Sequence, residues 1–176
     1  MDHADHVALI RDGVAGSGSM WADLGSGTGA FTLALADILG PAAVIHSVDR
    51  DRAALSRQAE LMGQRFPKVT LLQQPADFTR PLELPTLDGL LMANSLHFVA
   101  DKLALLPRLL IHLRPGGHFV LVEYDADAGN TWVPHPVSYR AWEAMAGQVG
   151  LRATRRVASV PSRFLGSVYA ALSLRW

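Results

Sequence analysis

The sequence contains no cysteine, which excludes disulfides, thiolate metal sites and cysteine nucleophiles together. Lysine is nearly absent as well: Lys68 and Lys102 are the only two, and the other basic residues are arginines. Neither charge is in excess, since 16 Lys and Arg balance 16 Asp and Glu. A broad electrostatic grip on nucleic acid or on an anionic membrane needs such an excess, so neither is expected as a partner. No apolar run is long enough to cross a bilayer. The stretch from Met1 to Arg11 carries acids and histidines where a signal peptide carries an apolar core. No histidine pair has metal-ligand spacing with acids, so no metal is expected. The expectation is a soluble, cytoplasmic chain. What is present is an apolar fraction of 49% over 176 residues, enough to fill one core, and residues 1–176 read as a single domain.

Apolar runs alternate with amphipathic stretches, the pattern of βα units on a mostly parallel sheet. Strands are expected at 20–24, 43–48, 69–72, 88–93 and 118–124, with helices at 30–39, 52–63, 101–113 and 137–149. The fourth strand is continuously apolar, as suits a strand buried on both faces. Arg114-Pro115-Gly116-Gly117 stops the helix before the fifth strand. Residues 125–136 read as a long polar loop. Two last strands, 152–160 and 167–174, are separated only by 161–166. That is too short for a crossover helix, so they form an antiparallel pair.

The first strand runs into Asp23-Leu24-Gly25-Ser26-Gly27-Thr28-Gly29-Ala30. Glycines permit a tight strand-to-helix turn and close approach of a ligand to bare backbone. Gly25, Gly27 and Ala30 also fit the dinucleotide pattern G-x-G-x-x-A, with Asp49 placed to hold a ribose, and Arg50 would suit a 2′-phosphate. Asp23 argues the other way. A carboxylate inside a buried strand needs a cationic or hydrogen-bonding partner; an ammonium supplies one, whereas a pyrophosphate repels it.

Taken with Asp49 closing the second strand, Asp77-Phe78 after the third, Asn94-Ser95-Leu96-His97-Phe98 after the fourth and the Leu-Arg-Pro-Gly-Gly turn before the fifth, the chain resembles the class I S-adenosylmethionine-dependent methyltransferases. Its nearest likeness is to the small-molecule branch that includes ubiquinone and menaquinone biosynthesis enzymes. The resemblance implies an α/β, Rossmann-like, seven-stranded sheet of order 3-2-1-4-5-7-6, with an antiparallel terminal strand and helices on both faces. Residues 1–100 would form the donor-binding half and 101–176 the acceptor side. S-adenosylmethionine would be the methyl donor, S-adenosylhomocysteine the product, and a small molecule the acceptor. The rivals are an NADP-dependent oxidoreductase and a non-catalytic S-adenosylmethionine-binding protein.

The resemblance assigns the donor to Asp23, Gly25, Ser26, Gly27, Gly29, Asp49, Arg50, Ala76, Asp77, Phe78 and Asn94. Asp49 is the expected ribose ligand; its alternative, capping the next helix, is open to Asp51 as well. Asp77 would face the adenine amino group, with Ala76 or Phe78 giving amide and apolar contact; the alternative is an exposed loop acid beside a core phenylalanine. His97 is the candidate general base, since an unperturbed imidazole changes charge near neutral pH, with Asp125 as second choice; His97 serves equally well as a packed strand-end residue. Tyr124, Trp132, His135 and Tyr139 are expected to line the acceptor site, although Trp132 also suits loop packing. No Asp/Asn-Pro-Pro-Tyr/Phe sequence follows the fourth strand, which argues against methylation of nucleic-acid amino groups. Only about twenty residues precede the first strand. The donor site is therefore expected to be covered by the 125–136 loop or by a second subunit in a homodimer, unless the acceptor itself is large.

Overall fold

The computed structural model describes residues 1–162 and 164–176; position 163, inside the expected hairpin connection, lies outside the described residues. Helix α1 (His3–Val14) comes first and was not expected. Asp2 caps it through Asp5 N–H, and the Asp5 side chain returns to Asp2 N–H, a reciprocal capping box. Val7, Ile10 and Val14 are spaced to bury one face. Strand β1 (Met20–Leu24) and helix α2 (Ala30–Leu39) flank the glycine turn. They are followed by β2 (Val44–Asp49), α3 (Arg52–Arg65), β3 (Thr70–Pro75) and β4 (Leu87–Ala93). Then come α4 (Lys102–Leu110), β5 (Leu113–Tyr124), α5 (Tyr139–Gln148), β6 (Leu151–Pro161) and β7 (Ser167–Arg175).

The seven strands form one sheet in the order β3-β2-β1-β4-β5-β7-β6. Strands β3 to β5 pair in parallel, and β7 lies antiparallel between β5 and β6. Both the order and the antiparallel insertion are those expected. Each face of the sheet carries its own core. On one, Phe119 stacks on the buried Trp142 of α5, beside the leucines of α4. On the other, α1 and α2 cover Trp21, Ile45 and Val120. Trp21 is fully buried and donates its indole N–H to Ser17 Oγ at 3.1 Å, so its polar edge is satisfied inside the core.

The Arg-Pro-Gly-Gly turn departs from expectation. Helix α4 ends at Leu110, and β5 already begins at Leu113. The register between β4 and β5 jumps from Leu87↔Leu113 to Gly89↔His118, so the turn is a bulge within the strand. It swings Arg114 back under β1, where its guanidinium meets Asp88 Oδ1 at 2.7 Å and the Ser17 carbonyl at 2.9 Å. Asp88 in turn accepts the N–H groups of Ser19 and Met20. A proline–glycine break seen in sequence is therefore the anchor that fixes where the first strand starts.

Candidate active site

The glycine turn sits at the carboxyl edge of β1, and its three glycines have different reasons to be there. Gly25 has φ 76°, and a Cβ on it would lie 2.5 Å from Ser95 Cβ. Gly29 has φ 90°, and its Cβ would lie 2.5 Å from Gln58 Cγ. Gly27 also has positive φ, yet a Cβ there would meet nothing within 4 Å. The outer glycines are demanded by packing, while the middle one faces open space where a ligand can approach.

The space belongs to a groove with two recesses. The larger, of about 660 Å³, is lined by Gly25, Gly27, Asp49, Arg50, Ala76, Asp77, Phe78 and Asn94 from the expected donor set, joined by Ser95 and Phe98. The smaller, of about 240 Å³, contains Asp23, Ser26, Phe31 and, from α1, His6. Gly25, Gly27, Thr28 and Asn94 line both. Of the expected donor residues only Gly29 lines neither; its contribution is the turn itself.

Asp49 spans the two elements it joins. Its Oδ2 accepts Gly27 N–H and its Oδ1 accepts Asp51 N–H, both at 2.8 Å. Each oxygen retains a lone pair for a ligand hydroxyl. Asp51 takes the helix cap, accepting Ala53 and Ala54 N–H, which frees Asp49 from that duty. Asp77 Oδ1 binds the hydroxyl and N–H of Thr79, and the hydroxyl contact foremost holds its carboxyl below the usual range; it is ionised and faces the cleft. Ala76 N–H is already bonded to the Asp49 carbonyl at 3.0 Å, so the amide contact expected of the pair Ala76/Phe78 falls to Phe78.

Asp23 is 1% exposed and accepts a 2.6 Å hydrogen bond from Thr32 Oγ1. No cation lies within ion-pair distance of it among the described residues. Burial, only partly offset by Thr32, pushes its carboxyl up to about 7. Thr32 continues a buried chain through Gln58 and Ser47 to Ser26, which locks α2, α3 and the turn together. Asn94 has a left-handed backbone (φ 52°) and donates N–H to the Val122 carbonyl. Its buried Oδ1 has no partner among the described residues. An orphan acceptor on a positive-φ residue at the junction of two recesses is the kind of outlier that marks a ligand site.

His97 is 3% exposed and lies behind Phe98 instead of lining the groove. Its Nδ1 is 2.9 and 3.0 Å from the two oxygens of Glu123, which also accepts His97 N–H. Glu123 is wholly buried. A carboxylate on Nδ1 fixes the imidazole so that Nε2 is the basic nitrogen. The partnership of Glu123 with His97, 26 residues earlier, requires β4 and β5 to be neighbours, and no local sequence pattern points to it.

The acceptor-side residues are placed differently from the expectation. Asp125 accepts Tyr139 N–H on Oδ1 and meets Arg156 on Oδ2 at 2.9 Å, so its charge is paired. Tyr139 packs edge-on to Tyr169 under the Arg156 guanidinium. His135 N–H bonds to the His97 carbonyl, and the His135 carbonyl accepts Lys102 Nζ, so the 125–136 loop is tied down beside His97. Tyr124 stands edge-on to the His97 ring, and Trp132 is 77% exposed. None of these lines the groove.

The expected shortage of covering material is corrected by α1, which packs on α2 and sets His6 edge-on to Phe31 at 4.7 Å, inside the smaller recess. The sequence signal was available in the Asp2/Asp5 capping pair and the Val7, Ile10, Val14 spacing. No helix is long and apolar enough to cross a membrane, and no group of three or more His, Cys, Asp or Glu is arranged to hold a metal ion, among the described residues.

Among solved structures, the chain is similar to the YcgJ protein of Bacillus subtilis (TM-score 0.75, 13% identity, 98% of this chain and 99% of that one). It is also similar to an S-adenosylmethionine-dependent methyltransferase of Aquifex aeolicus (TM-score 0.68, 16% identity, the full length of both). A third likeness is to the methyltransferase SibL (TM-score 0.69, 17% identity), of which this chain covers 89% of itself but half of the relative. At these identities the likeness is one of fold. A search of curated proteins returns no match. The model of the methyltransferase domain family matches residues 22–119, from β1 into β5, and with that span and this sheet order the chain belongs to that family, whose class I members take S-adenosylmethionine as donor and release S-adenosylhomocysteine.

Proposed function

We propose that this chain transfers a methyl group from S-adenosylmethionine to a small-molecule acceptor, with the donor lying along the two-part groove. The observation that carries the reading is Asp23, a buried carboxyl facing the smaller recess with no cation of its own among the described residues. The residues fit the donor's chemistry at each end. Asp49 suits vicinal ribose hydroxyls, Asp77 and Phe78 suit an adenine edge, and Asn94 Oδ1 and Asp23 suit an ammonium group. When bound, the sulfonium supplies an electrophilic methyl group.

The protein's own contribution is alignment and exclusion of water. His97 is the proposed proton acceptor for an acceptor hydroxyl or amine, oriented by Glu123 through Nδ1. Asp125, Tyr139 and His135 position the loop and α5 around it. Tyr124, Phe98 and Trp132 are the side chains of this edge left for an acceptor to meet, and Phe98 stands between His97 and the donor groove.

Calorimetric titration tests the reading. S-adenosylhomocysteine and S-adenosylmethionine are expected to bind one to one, and NADPH not at all. Tight NADPH binding with none of the sulfonium donor or its product would overturn the proposal. The His97→Gln variant is expected to bind S-adenosylhomocysteine as the parent does. With an acceptor that must lose a proton, its turnover should fall at least about a hundredfold.

A further inference from the structure

The smaller recess holds two ionisable side chains from different elements, Asp23 on β1 and His6 on α1. Neither has a charged partner in an ion pair among the described residues. On the reading of the groove given above, this recess receives the donor's amino-acid end, which is a zwitterion. The ammonium matches Asp23. The carboxylate needs a positive group, and among the described residues His6 is the only side chain lining the recess that can become a cation. Most amides of the turn are committed elsewhere: Gly25 and Ser26 to the Val48 carbonyl, Gly27 to Asp49 and Gly29 to the Ser26 carbonyl. The Thr28 N–H and the first amides of α2 remain to assist, as neutral donors without a charge.

We propose that His6, as an imidazolium, holds the donor's methionyl carboxylate, and that the proton it carries comes from Asp23, which becomes the carboxylate that holds the ammonium. The balance is simple: one O–H bond at Asp23 breaks, one N–H bond at His6 forms, and no proton is exchanged with solvent. Burial prepares both groups for the exchange. It raises the Asp23 carboxyl to about 7, with Asp49 adding to the rise and Thr32 opposing it. Burial also lowers His6 below its usual 6.5, with the N-terminal ammonium and His3 lowering it further and Asp5 and Asp2 opposing. Both directions move the recess toward the neutral pair, and a zwitterion moves it toward the charged one. The inference makes α1 part of the donor site and makes the amino-acid end a determinant of affinity.

The test is calorimetry on the full chain near pH 7, in phosphate and in Tris, whose different ionisation enthalpies report the protons exchanged on binding. S-adenosylhomocysteine and 5′-methylthioadenosine, which lacks the amino-acid end, are the probes. The parent should take S-adenosylhomocysteine with close to no net proton exchange. His6→Gln should bind it about tenfold more weakly and release protons, because Asp23 must then discharge to solvent. Asp23→Asn should show the opposite sign, protons taken up by His6. Methylthioadenosine should bind all three alike, which also reports that the variants are folded. If His6→Gln matches the parent in affinity and proton count, or loses both probes equally, this inference is wrong while the donor groove stands. If the parent binds neither probe, the groove reading itself fails.

Discussion

The two sides of the sheet's carboxyl edge treat their polar groups in opposite ways. Around β1, β2 and β4, side chains are held by neighbours but keep valence toward the groove. Asp49 bonds two amides and has lone pairs left, and among the described residues Asn94 Oδ1 has no partner and Asp23 has no cation. Around β5, β7 and α5 the same residue types satisfy one another. Asp125 is charge-paired with Arg156, Tyr169 gives its hydroxyl to the Val137 carbonyl, and Glu123 is spent on His97. A polar cluster whose valences close on themselves is structure; one whose valences remain open beside a cavity is a binding site.

The largest effect separating the two sides is expected at Glu123. Replacing it with alanine strips partners from the buried His97 Nδ1 and from the N–H groups of His97 and Tyr124. Urea denaturation should show a loss of about 3 kcal/mol, with S-adenosylhomocysteine affinity unchanged in the fraction that folds. An unchanged midpoint would show that the pair is not the anchor of this edge.

On the donor side, Gly25→Ala forces both a left-handed backbone and a clash with Ser95, and is expected to cost roughly 2 kcal/mol. Gly27→Ala has the backbone cost alone, about 1 kcal/mol, and intrudes only on the groove. Comparison of melting with S-adenosylhomocysteine affinity should place Gly25 chiefly in the first measurement and Gly27 chiefly in the second. Equal effects in both would dissolve the distinction between packing glycine and ligand-facing glycine.

Asp23 predicts a pH dependence of stability. Its carboxyl titrates near 7 in the folded chain against an ordinary value of 3.8, so between those values the folded state holds a proton the unfolded state has lost. Stability from this group therefore falls as pH rises toward 7 and is level above it. Asp23→Asn removes the dependence: relative to the parent, its melting temperature should gain from about pH 5 to about pH 8. A constant difference would mean that Asp23 is ionised throughout. The smallest effect is expected at Trp132, where the exposed side chain should contribute no more than about 0.5 kcal/mol to stability; Trp132→Ala is a probe of acceptor KM alone.

Much of the donor side was legible because strand-to-helix turns write themselves locally. The Asp23–Gly29 spacing, the acid ending β2 and the Asp77-Phe78 pair lie within single βα units, and all line the groove except Gly29. The acceptor side was less legible for a matching reason. Asp125 and Tyr139 look available in sequence, and only their neighbours in space show that Arg156 and Tyr169 pack against them. The Arg114 bulge was visible as a break but not as a clamp, since Asp88 and the Ser17 carbonyl lie far away along the chain.

By itself the sequence determined the alternation of strands and helices, the antiparallel terminal pair and the position of the glycine turn, because periodicity, glycine conformation and loop length act over a few residues. Tertiary structure alone decided that His97 is backed by Glu123, that Asp23 is buried against Thr32 and that His6 of α1 shares its recess. Burial and ion pairing depend on which strands and helices become neighbours, and no local pattern carries that information.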